Sequence, residues 1–80
     1  MSSARRLSDL RPGESGTIAR VSGTGRFKRR LMEMGFVSGE QVAMEKFAPL
    51  RDPGEFVIKG YHVSLRRQEA ALVILEGEQP

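Results

Sequence analysis

The chain has one histidine, His62, flanked by Tyr61 and followed two residues later by Ser64. A base near a hydroxyl is a starting point for nucleophilic catalysis, but a triad also needs a third group that orients the base. The spacing supplies none, and there is no cysteine to act as nucleophile instead. The segment SGTGRFKRR, from Ser22 to Arg30, places two glycines before a helical pattern, as a phosphate cradle would. Position 28 is Lys, so the third glycine of the dinucleotide fingerprint is missing, and the Gly-Lys-Ser/Thr ending of a P-loop is absent too. These glycines read as a turn from strand to helix, and no enzyme is expected.

Metal chemistry has a similar shortfall. A structural zinc site draws four ligands from Cys and His, and here His62 stands alone. The carboxylates Glu33, Glu40, Glu45, Asp52, Glu55 and Glu69 do not follow the spacing of a calcium loop. No cofactor is required on this reading, and an all-protein metal site within one chain is not expected. What stays open is a weakly bound transition metal ion, held by His62 or a carboxylate or shared between two copies.

The remaining chemistry is basic. Arg26, Lys28, Arg29 and Arg30 form one cluster, and Arg66 with Arg67 another. Small barrels bind nucleic acid through a basic groove and stacking aromatics. Phe27, Phe47 and Phe56 are assigned to the core, and the net charge is only +3, so no nucleic-acid partner is expected.

The elements that must position these groups are short. Leu7 and Leu10 flank Ser8 and Asp9, either of which could cap one helical turn. Pro12-Gly13 fits the centre of a type II turn. GTIARVSG, Gly16 to Gly23, reads as a strand. Phe27, Leu31 and Met34 then fall at i, i+4 and i+7, the stripe of a short helix that Gly35 ends. Val42 and Met44 begin an imperfect alternation that Pro49 stops, and Arg51-Asp52-Pro53-Gly54 is a loop by composition. EFVIKGYHVSL alternates again, with a bulge or sharp corner at Gly60. Ser64 is placed to cap a helical turn through Glu69, and AALVILEG is the strand expected to be buried on both faces. Five short strands in this length predict a mainly β fold: a small, strongly bent barrel with one helix after the first strand and a helical turn before the last. An exposed edge at the final strand would let copies pair as a homo-oligomer.

Eighty residues are read as one domain spanning 1–80, with its core between about 7 and 76. MSSARR and GEQP read as tails. No run of about 18 apolar residues occurs and no signal-peptide core opens the chain, so a cytoplasmic location is expected.

Three motifs carry a family resemblance: RRLMEMGF-x-x-G, AP-x-x-DP and GY-x-x-SLRR-x-EA, together with the opening LSDLRPGESGTI. With them the chain resembles the FeoA family over about Leu7 to Glu76. It departs at Ser38, where the family often has Pro, and at Arg51, where it often has Gly. The resemblance implies an SH3-like barrel and a small cytoplasmic accessory of bacterial ferrous iron uptake. Its implied partner is the membrane permease FeoB, which carries a cytoplasmic GTP-binding domain. The same barrel occurs as the C-terminal domain of DtxR-like metal-dependent repressors, so one alternative is a metal-responsive regulatory domain; the basic clusters leave a nucleic-acid-binding barrel as the other. The surface expected to dock on the permease comprises Arg29, Arg30, Leu50, Arg51, Arg66 and Arg67.

Overall fold

A computed structural model describes residues 5–77. In chain order these form β1 (Arg5–Arg6), a 3-10 turn (Leu7–Asp9), β2 (Ser15–Val21), α1 (Gly25–Glu33), β3 (Gln41–Phe47), β4 (Gly54–Ile58), β5 (Tyr61–Leu65), α2 (Arg67–Ala70) and β6 (Val73–Leu75). The strands make one antiparallel sheet in the order β1-β6-β2-β3-β4-β5. The mainly β class with two small helices is as expected. The strand count is six, because Arg5 and Arg6, expected in a tail, pair with Leu75 and Ile74. Of that expected tail, Met1–Ala4 lie outside the described residues, as do Glu78–Pro80 of the other.

Burial alternates along the meander because one face of each strand points inward. Val42 and Met44 of β3, Phe56 and Ile58 of β4 and Leu65 of β5 are buried. They join Ile18 and Val21 of β2 and Val73 and Leu75 of β6 in one hydrophobic cluster. Strands from both ends of the sheet share that cluster, so the sheet curls around it. A change of partner helps the bend: the first half of β2 pairs with β3 and the second half with β6. All three residues of β6 are buried, as expected, but the strand is shorter than the apolar run from Ala70 to Gly77, because Ala70 closes α2 and Ala71 and Leu72 turn the chain into β6. However, β6 lies between β1 and β2 and is not an edge, so the basis expected for pairing of copies is absent. The edges are β1 and β5; no ladder joins them among the described residues, and the barrel keeps a seam.

The imperfect period of β3 has a local cause. Its ladder with β4 is regular from Val42 to Met44 and then slips, so that Lys46 opposes Glu55 and Phe47 opposes Gly54. Glu45 is the extra residue of a β-bulge. The slip returns Phe47 to the inner side, where it packs against the core. The corner expected at Gly60 is a two-residue hairpin between β4 and β5. Lys59 and Gly60 both have positive φ, 54° and 84°, as a type I′ turn requires.

Nine residues of helix are marginal alone in water, so α1 depends on its ends and its packing. Its C-terminus is a Schellman motif. The Phe36 N–H donates to Leu31 O, and the Gly35 N–H, at φ 105°, donates to Met32 O. The chain turns back so that Phe36 and Leu31 are both buried. Of the expected stripe, Leu31 is core and Met34 packs against the core, but Phe27 is 49% exposed. Phe27 sits in the first turn of the helix, and Leu31 is the only α1 residue that reaches full burial.

The turn at Pro12-Gly13 is closed by the Glu14 N–H donating to Arg11 O at 2.9 Å. Two caps differ from expectation. Asp9 reaches back from the end of its turn to accept the Arg6 N–H at 2.9 Å. The cap of α2 is Arg66, whose N–H donates to Glu69 Oε1 at 2.9 Å, while Ser64 stays in β5.

Candidate functional site

The seam between β1 and β5 is covered by the 3-10 turn, α2 and the loop 48–53. Between these parts runs a groove of about 400 Å³. Phe47, Phe56 and Leu65 contribute apolar surface to it, and Arg51, Asp52 and Arg67 line it as polar groups. The loop is held by backbone bonds: the Ala48 N–H donates to Pro53 O at 2.9 Å and the Arg51 N–H to Ala48 O at 2.7 Å. The Arg67 N–H donates to Asp52 Oδ1 at 2.9 Å, which fixes the loop to the start of α2. That contact brings two motifs together that lie 15 residues apart.

Arg51 has φ 69°, a left-handed conformation that glycine adopts more easily. Its guanidinium stands over the Phe47 ring, 5.2 Å from the centroid, a cation–π arrangement. Leu50, beside it, is 89% exposed. Arg66 lines an adjoining depression with Asp52 and Arg67. Arg51, Arg66 and Arg67 form no ion pair among the described residues, so their charge is presented to solvent.

Four of the six expected docking residues, Leu50, Arg51, Arg66 and Arg67, thus gather around loop 48–53 and α2. Arg29 and Arg30 do not join them. Both are exposed on α1, and Arg29 lines a separate shallow depression with Lys28, Met32 and Val37. The two depressions share no lining residue.

His62 lies on the outer face of β5, away from the groove residues. Its Nδ1 donates to Glu45 Oε1 at 2.7 Å. Glu45, Glu55 and His62 offer ligand atoms that all lie within 4.8 Å of one another, across β3, β4 and β5. Reading each carboxylate along the chain missed this grouping, because its members are neighbours only across the ladder. The alternation of β4 and β5 held part of the signal, since it puts Glu55 and His62 on the same face. One other link steadies this hairpin: the Tyr61 hydroxyl donates to Met34 O at the end of α1. Among the described residues, no helix is long and apolar enough to cross a membrane.

A small curled sheet with an inserted helix, and with its polar groups on loops and outer faces, defines an SH3-like domain. The FeoA domain model matches residues 5–77, and the chain belongs to that family. It is 48% identical over 71 residues to the Fe(2+) transport protein A/Fe(2+) transporter FeoB fusion protein of Porphyromonas gingivalis. That match covers 89% of this chain but only 8% of the fusion protein. The FeoA-like protein of Clostridium acetobutylicum superposes with a TM-score of 0.85 at 28% identity, covering 95% of this chain and 88% of the other. The FeoA of Stenotrophomonas maltophilia, a prokaryotic SH3 domain protein solved in complex with zinc, gives 0.82 at 31% identity and 91% coverage of both chains.

Proposed function

We propose that this chain is a non-enzymatic, cytoplasmic accessory of ferrous iron uptake that docks on a FeoB-type permease and modulates it. The observation that carries this reading is the fusion relative, in which a segment 48% identical to this chain is joined covalently to an iron transporter. Fusion keeps two modules at high effective concentration, which favours pairs that also bind each other when separate.

The docking surface is the groove side. Leu50 is an exposed apolar anchor, and Arg51, Arg66 and Arg67 surround it with unpaired positive charge. A buried anchor within a polar rim is the usual anatomy of a contact hot spot. The partner face that fits is acidic with an apolar pocket. Rim charges act mostly on association rate and salt dependence.

Binding of the chain to the permease's cytoplasmic GTP-binding domain, followed by calorimetry, tests this. Charge reversal at Arg51, Arg66 and Arg67 should weaken binding at least tenfold. Reversal at Arg29 and Arg30, on the separate α1 face, should change it far less. Equal losses from both sets would reject the groove as the contact, and no binding of the unaltered chain to this domain or to the whole permease would reject docking itself.

A further inference from the structure

We propose that Glu45, Glu55 and His62 form a surface site for one first-row divalent transition metal ion within a single copy of the chain. The three side chains come from three neighbouring strands, and their ligand atoms lie within 4.8 Å of one another. Ligands about 2.1 Å from a common ion at near-tetrahedral or octahedral angles stand roughly 3–3.4 Å apart. His62 Nδ1 and Glu45 Oε1, at 2.7 Å, are already close to that spacing, and Glu55 needs only a small side-chain adjustment.

The backbone explains why they meet. In β4 and β5, Glu55 and His62 both point outward, because Phe56 points inward and Val57, the register partner of His62, lies on the outer side. In β3 the bulge sets two consecutive residues, Glu45 and Lys46, against the single Glu55. Bulges recur where a strand must re-aim a side chain. Here the extra residue is the carboxylate that reaches His62. The site is thus borne by a hydrogen-bonded ladder, which holds its members in place better than a loop would.

Charge gives an independent reason. Thirteen Lys and Arg residues outnumber ten Asp and Glu in this chain, yet neither Glu45 nor Glu55 pairs with any of them among the described residues. Glu55 is partly buried, and its carboxylate accepts no hydrogen bond there either. Two adjacent carboxylates without a Lys or Arg partner repel each other and favour a dication between them. With a neutral imidazole they balance a 2+ charge. For Nδ1 to coordinate, its proton passes through solvent to Nε2, and its lone pair goes to the ion.

The donor set selects the ion. Imidazole suits Fe, Ni, Cu and Zn, whereas carboxylate and water alone suit Mg and Ca. One imidazole and two carboxylates therefore favour Fe²⁺, Zn²⁺ or Co²⁺ over Mg²⁺. The face is open, so the remaining positions belong to water. The site is independent of docking, because it lies on a different face and its test needs no permease.

The experiment is titration of the isolated chain with Co²⁺, and with Fe²⁺ under anaerobic conditions, followed by calorimetry and by paramagnetic loss of amide NMR signals. One ion per chain is expected, with signal loss centred on residues 45, 55 and 62. Mg²⁺ should not compete at a hundredfold excess. Glu55→Gln and His62→Gln should each weaken binding at least tenfold while leaving the rest of the amide spectrum in place. Failure to bind either ion at millimolar concentration overturns the proposal. So does unchanged affinity in both variants, signal loss centred elsewhere, or a stoichiometry of one ion per two chains.

Discussion

The groove and the carboxylate–histidine cluster are built on the same three strands but in opposite ways. The groove lies over the inner side of β3–β5, beneath the 3-10 turn, α2 and loop 48–53, so Phe56 and Leu65 are at once its lining and part of the core. Its charges come from a loop and a four-residue helix. The cluster uses the outer side, where the ladder sets positions. The difference separates two kinds of surface. A groove fused to the core has apolar depth for a partner, but it cannot be altered at its base without cost to stability. An outer strand face has little depth but holds its side chains in register.

Substitutions at the groove floor should cost the most stability. Phe56→Ala removes a buried ring that pairs in register with Met44 and Val63, and it should cost about 3–5 kcal/mol in urea unfolding. Because the ring belongs to both groove and core, folding and docking should fail together. Gly54→Val should cost about 1–3 kcal/mol by overpacking. A Cβ there would stand 3.0 Å from Met44 Cε and 3.2 Å from the Phe56 ring. Retained stability in either variant would show that the groove floor is looser than its packing indicates.

Smaller effects sharpen the contrast. Arg51→Gly relieves a left-handed residue at a gain of about 1 kcal/mol, and it gives up a cation–π contact and some unfolded-state restriction of similar size. Its stability should change by less than about 1 kcal/mol while partner affinity falls, so binding and unfolding measured side by side separate the rim from the floor. His62→Gln, on the outer face, should shift metal-free stability by less than about 0.5 kcal/mol, since the contact it makes with Glu45 is exposed and such contacts contribute little. A loss above about 1.5 kcal/mol would mean that the outer face supports the fold, and the division drawn here would fail.

Much of this fold was legible in the sequence because its local rules agree. Gly35 ended the helix where the Schellman motif forms, and the apolar run at the end gave the fully buried β6. The glycine after Lys59 marked the corner, although Lys-Gly is a weaker hairpin signal than Asn-Gly. The misses have physical causes. Arg5 and Arg6 carry no strand pattern, because both are exposed and their pairing is imposed by β6. Phe27 keeps helical spacing, but it stands in a turn of α1 that does not reach the core. Of the site, the loop and Arg66-Arg67 were visible as separate motifs, while the Arg67–Asp52 bond that unites them depends on tertiary closure. Glu45 was hidden because a bulge breaks the alternation from which its direction would be read.

The position of β6 also bears on how the molecule comes into being. Val73–Leu75 is the last strand among the described residues and the one that knits β1 to the second half of β2. On a ribosome, both of those earlier segments must wait, unmated, until Val73–Leu75 has been synthesised. The meander β3–β5, whose partners are close in sequence, can assemble during that interval. Closure of the sheet then becomes a late event governed by three apolar residues, and a nascent chain halted before Val73 would expose two unfinished edges to its surroundings.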